Sequence, residues 1–273
     1  MKRLVQSLSL FNMLLEYKNI NIKYTDFGKG EAVVLLHGFL ENASMWNYLI
    51  EEIKTSHRVV SVDLLGHGST GNLGYVHTME EMGEAVWAVL EHLQITSFIV
   101  IGHSMGGYVA LTIAKNYPES VKGLCLMNST YRADSEERKI IRMRSIEMVR
   151  RNYNMVIRTS FLNLFAEQSK RLYVKEIENA LNEALKTSVQ GYVAAQRGMM
   201  EREDNFEFLK TLNCEKLIII GSEDPVINGE SIKSELFGTS IEYVEIKLGH
   251  MSHIENKTEN TYKIMHFIEK IYS

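Results

Sequence analysis

Cysteine is scarce in this chain: Cys125 and Cys214 are the two in 273 residues, each beside an apolar, strand-like run. That spacing fits buried thiols in a reducing compartment better than a disulfide framework or a metal site. Long apolar runs are missing as well, and none approaches the roughly 18 residues that a membrane span needs. Charge of one sign is not in excess. A formal net charge of -4 with no long single-sign run leaves no basic field for nucleic acid. Repeats and low-complexity stretches are absent. What is present, 45% hydrophobic and 23% charged residues, is an ordinary composition able to bury one large core. The opening Met-Lys-Arg and the stretch from Leu4 to Leu15 faintly resemble a secretion signal. Gln6, Ser7, Ser9 and Asn12 dilute it and no small-residue cleavage site follows, so the expected location is cytoplasmic.

Strand-like and helix-like segments alternate along the chain. Strands are expected at 14 to 18, 20 to 26, Ala32 to Leu36, Arg58 to Val62, Phe98 to Ile101, Val121 to Met127, Leu217 to Ile220 and Ile241 to Ile246. Several are continuous apolar runs, the mark of parallel strands covered on both faces. Between them, Met79, Met82, Val86, Leu90 and Leu93 share one helical face, as do Ile264, Ile268 and Ile271. The pattern predicts an α/β fold, a doubly wound and mostly parallel sheet whose sites lie at the carboxyl ends of its strands. From 130 to 205 the alternation stops. Ile177, Ala180, Leu181, Ala184 and Leu185 mark one amphipathic helix, and 138 to 150 and 155 to 165 read as two more. This predicts a core domain of residues 1–129 and 206–273 carrying a helical cap, 130–205, over the cleft. A separate helical domain without a catalytic role is the alternative.

The most informative segment is Ser-Phe-Ile-Val-Ile-Gly-His-Ser-Met-Gly-Gly at 97 to 107. It places a G-x-S-x-G pattern between a buried strand and a helix, where Ser104 sits on a sharp turn with its hydroxyl in a cleft. Glycines at 102 and 106 remove side chains that would collide there. A serine nucleophile needs a base, and His250 follows the last strand after Gly249. His253 is its rival. The base needs a carboxylate, and Asp224 lies in the loop after the strand 217 to 220; Glu223 beside it and Asp134 after an earlier strand are the competitors. The strand ending Leu-Leu-His-Gly-Phe places the backbone N–H of Phe39 beside that of Met105, a pair of donors for an oxyanion. Trp46, Tyr131, Tyr192 and Met199 are candidates for an apolar substrate pocket, with a core role open for each. His37, His67 and His103 adjoin glycine turns and read as structural, whereas His57, His77, His92 and His266 look like ordinary surface or helix positions. The run Arg138, Lys139, Arg142, Arg144, Arg150 and Arg151 either favours an acidic substrate or forms a solvated helix face.

Taken together, Leu-Leu-His-Gly-Phe at 35 to 39, Asp-Leu-Leu-Gly-His-Gly at 63 to 68, Gly-His-Ser-Met-Gly-Gly at 102 to 107, Gly-Ser-Glu-Asp at 221 to 224 and Gly-His at 249 to 250 resemble the α/β-hydrolase superfamily, in its cap-bearing esterase and lipase branch. The resemblance covers nearly the whole chain. It implies Ser104 as nucleophile, Asp224 as acid, His250 as base, and Phe39 and Met105 as backbone donors, with Asp63 and His67 in a structural turn. Cys214-Glu215-Lys216 departs from the proline many relatives carry there, away from the site. The implied activity is hydrolysis of a small-molecule carboxylic ester or thioester through an acyl-enzyme, with no cofactor and no metal. Two alternatives stay open. One is a lyase like the menaquinone-pathway members, which tend to carry an arginine where this chain has Tyr108; the other is a ligand-binding receptor that has lost turnover.

Overall fold

The computed structural model describes residues 13–272. The leader-like residues 1–12, which open the expected core segment, and Ser273 lie outside the described residues. Eight strands, β1 (Met13–Tyr17), β2 (Ile20–Phe27), β3 (Ala32–Leu36), β4 (Arg58–Val62), β5 (Phe98–His103), β6 (Val121–Met127), β7 (Glu215–Gly221) and β8 (Glu242–Ile246), form one sheet in the order β1-β2-β4-β3-β5-β6-β7-β8. β2 is antiparallel to both β1 and β4, and every other pairing is parallel. All five residues of β3 are buried, as the unbroken Ala-Val-Val-Leu-Leu run requires of a strand with both faces covered.

The helices in chain order are α1 (Asn47–Ile53), α2 (Met79–His92), α3 (Met105–Asn116), α4 (Glu136–Leu162), α5 (Ser169–Leu172), α6 (Val174–Ala184), α7 (Val189–Glu201), α8 (Phe206–Thr211), α9 (Gly229–Leu236), α10 (Ser252–Glu255) and α11 (Lys257–Tyr272). Period-two alternation divides the strand residues between two cores. Val34, Leu36, Val100 and Leu126 pack on the side of α2 and α3, and Val33, Leu35, Ile99 and Ile101 on the side of α1 and α11. A capping box starts α2: Thr78 accepts from the Glu81 N–H while the Glu81 carboxylate accepts from the Thr78 N–H. Such a cap is typically worth about 1 kcal/mol.

Between β6 and β7 the chain is helical. α4 breaks at Asn152, whose backbone leaves the helical region and whose side chain accepts from the Met155 N–H at 3.2 Å, starting a second helical run. The interior of this insertion, including Val149, Ile157, Phe161, Ile177, Leu181 and Tyr192, is continuous with Leu40 and Met251 of the sheet domain. It is therefore seated on loops at the carboxyl ends of the strands. His77 is corrected here from a surface position to a fully buried one. Its backbone N–H donates to the Ala194 carbonyl of α7, and its Nε2 accepts from the Leu73 N–H. No helix among the described residues is long and apolar enough to cross a membrane.

Candidate active site

Strand order reverses at β3, with β4 on one side and β5 on the other, so the loops after β3 and β5 splay apart and leave a crevice. Ser104 follows β5 at that point, as the residue before α3, with φ 48° and ψ -114°, a left-handed conformation that costs a non-glycine residue about 1–3 kcal/mol. The surrounding contacts hold it there. Its N–H donates to the Met127 carbonyl at 2.9 Å, and its carbonyl accepts from Ser129 Oγ at 2.7 Å. A Cβ on Gly102 would lie 2.2 Å from the Gly106 carbonyl oxygen, and one on Gly106 would lie 2.3 Å from that of Leu36. Glycine at both positions is a packing necessity.

Ser104 Oγ lies 2.9 Å from His250 Nε2. His250 Nδ1 lies 3.0 and 2.9 Å from the two oxygens of Asp224. A carboxylate only accepts, so Nδ1 carries the proton and Nε2 is left to accept from the serine hydroxyl. Asp224 is fixed by the Val226 and Ile227 N–H groups at 2.8 and 3.0 Å and by Asn128 Nδ2 at 3.1 Å. Burial pushes its carboxyl up, but the facing His250 and those backbone donors outweigh it and hold it below the ordinary 3.8. The competitors sit elsewhere. Glu223 bonds Gln168 at the surface, and Asp134 is held by Arg142 and Arg202.

Behind His250 lies a buried network that sequence reasoning missed. Glu41 Oε2 accepts from the Gly38 N–H at 2.6 Å and from His103 Nδ1 at 2.7 Å, while His103 Nε2 faces the His250 carbonyl at 2.9 Å. Both His103 nitrogens meet acceptors, so both carry protons and the ring is an imidazolium. Burial works against that charge, yet Glu41 raises His103 above 6.5, and the buried Glu41 is in turn lowered to about 2 by His103. His253 Nε2 lies 3.5 Å from Glu41 Oε1, and burial lowers its pKa to about 4, so it is neutral, and its ring packs on His103 while His250 takes the contact with Ser104. Glu41, His103 and His253 do bring one ligand-type atom each within 4.8 Å of one another. With both His103 nitrogens protonated, Glu41 and His103 form a buried ion pair.

Glu41→Ala strands the His103 charge and is expected to cost about 3–5 kcal/mol of stability, read from urea denaturation. Glu41 contributes above its unfolded value of 4.5 and His103 contributes fully below 6.5. The gap to wild type is therefore widest between those values and narrows as pH rises through the raised pKa of His103.

A cavity of about 210 Å³ opens on Ser104 and His250, walled by Phe39, Tyr108, Arg138, Phe161, Tyr192 and Met199 among others. Phe39 and Tyr192 meet at a 60° tilt with ring centroids 4.9 Å apart. Two of the expected pocket residues are corrected. Trp46, in a 3-10 turn before α1, packs into the core on the α1 and α11 side. Tyr131 stacks on Phe206 and donates to Glu235 at 2.6 Å. Of the backbone donors, the Met105 side chain is core whereas that of Phe39 walls the cavity. Neither backbone N–H is taken up by another described residue.

Comparison with known proteins matches this architecture. The 3-oxoadipate enol-lactonase 2 of Acinetobacter baylyi is 23% identical over 254 residues, covering 90% of this chain and 92% of its own. The (E)-2-((N-methylformamido)methylene)succinate hydrolase of the same organism is 25% identical over 215 residues, 76% of this chain and 78% of its own. The solved structure of a thermophilic esterase from Thermogutta terrifontis, malate bound, superposes with a TM-score of 0.89 at 29% identity, covering 97% of this chain and 99% of that one. The family model of the alpha/beta hydrolase fold matches residues 31–257. With that match over most of its length, the chain belongs to the α/β-hydrolase fold family.

Proposed function

We propose that the protein is a serine hydrolase that cleaves small carboxylic esters or thioesters through an acyl-enzyme. The observation that carries this reading is the unbroken relay from Asp224 through His250 to a strained, cavity-facing Ser104. The resemblance to a thermophilic esterase at 29% identity supports it. In this reading His250 Nε2 takes the Ser104 proton as Oγ attacks the carbonyl carbon, and the Phe39 and Met105 N–H groups hold the tetrahedral oxyanion. His250 then hands the proton to the departing alcohol or thiol. A water activated by the same histidine releases the acid and restores Ser104.

The insertion 130–205 acts as a cap, with Phe39, Tyr192 and Met199 walling the acyl site. The two free thiols, Cys125 buried and Cys214 partly buried, are both raised in pKa by burial, which suits a reducing cytoplasm. The test is an assay over p-nitrophenyl esters of increasing acyl length. A 210 Å³ cavity favours short chains, so turnover is expected on acetate to hexanoate and to fall steeply beyond. No turnover on any of the series would remove the reading.

A further inference from the structure

Arg138 stands in the first turn of α4 and lines the same cavity as Ser104 and His250. Its backbone N–H donates to Ser135 Oγ, but among the described residues its guanidinium has neither a hydrogen-bond acceptor nor an ion-pair partner. Its neighbours explain why. Asp134 is saturated by Arg142, which donates to it through Nε at 2.5 Å, and by Arg202 at 2.8 Å. Arg142 spends a further N–H on Gln196 at 2.8 Å, and Arg202 lies 4.0 Å over the Tyr108 ring. Glu41, a carboxylate on the cavity wall, is engaged by His103 and Gly38. Two guanidinium groups thus take the one carboxylate of Asp134, and the third, that of Arg138, is left on the cavity wall.

Burial and the neighbouring Arg142 push Arg138 below its ordinary 12.5, outweighing the opposite pull of Tyr108 and Asp134; an arginine cannot shed its charge in a protein, so the half-buried cation stays without a direct partner among the described residues. A local electrostatic cost of this kind is expected where a ligand, not the fold, supplies the counter-charge.

We propose that Arg138 binds a free carboxylate on the substrate, so that the esters cleaved are small ones carrying one carboxylate beside the scissile bond. This rests on the hydrolase reading above. A guanidinium fork pairs two parallel N–H groups with a carboxylate, and a cavity of about 210 Å³ keeps that anchor and the serine within reach of one short molecule. The carboxylate sits on either the acyl or the alcohol side, and the test separates the two.

The experiment compares kcat/KM for matched pairs that differ only in charge. Monomethyl glutarate is set against methyl 5-oxohexanoate for the acyl side, and carboxymethyl butyrate against acetonyl butyrate for the alcohol side. Wild type is expected to prefer the acid in one pair, and Arg138→Met to shrink that preference about 10- to 100-fold, chiefly through KM, with Arg138→Lys keeping part of it. The Arg138→Met variant loses no hydrogen bond or ion pair, and the repulsion it relieves from Arg142 and Arg202 offsets the lost attraction of Asp134, so its urea midpoint should stay close to that of wild type. Equal rates within both pairs, a preference for the neutral esters, or an acid preference indifferent to Arg138 would each overturn the proposal while the hydrolase reading stands. Failure to cleave any of the four esters would overturn both.

Discussion

Replacing Ser104 by alanine is expected to lower ester turnover by about 10⁶-fold and to leave the fold intact, because serine and histidine in such a relay act as one unit. The backbone contacts that hold residue 104, to Met127 and Ser129, do not use its side chain. The one side-chain bond lost is to His250, at the wall of an open cavity. Circular dichroism and the thermal midpoint should therefore match wild type. A variant that stays folded and retains near wild-type turnover would remove Ser104 as nucleophile.

Asp224→Asn is expected to reduce turnover by about 10⁴-fold, against little change for Glu223→Gln. The Val226 and Ile227 N–H groups both point at Oδ1, so the amide oxygen of an asparagine must settle there. Its NH2 group then occupies the Oδ2 position, facing the Asn128 amide and His250 Nδ1. Two donors cannot share that contact. The imidazole would switch its proton to Nε2 and present a donor to Ser104 where an acceptor is needed. Among the described residues the Glu223 carboxylate bonds Gln168 at the surface and has no contact with His250. Comparable losses in the two variants, measured as kcat at saturating ester, would count against Asp224 as the partner of His250.

The eight strands were legible because β-branched apolar runs such as Ile218–Ile220 and Ile99–Ile101, bounded by turn residues and too short for a helix, read as buried strands. Ser104, Asp224 and His250 could be named because each follows a strand, and every parallel strand of one sheet delivers its next loop to the same edge. Glu41 was not legible. Its role depends on His103, 62 residues away, and on the backbone of the Gly38 turn, neither of which a local pattern records. Asn128 was missed for a related reason: it stands just past β6 with φ 45°, and its side chain bridges Asp224 and the Gly249 carbonyl. In the sequence, Trp46 and Tyr131 stand as pocket candidates with a core role open because apolar surface does not say which side of a sheet will bury it. Arg138 was visible only as one of a run of cap charges. What separates it from Arg142 is that the single carboxylate within reach is already taken.

The role of Ser104 as a nucleophile activated by His250 is tested most directly by a fluorophosphonate probe followed by peptide mapping, since the probe reacts with an activated serine whatever the substrate. One covalent adduct, on the peptide carrying Ser104, is the expected result, with labelling nearly lost in His250→Ala and retained in His253→Ala. An adduct on another residue, or labelling of Ser104 that survives the removal of His250, would contradict it.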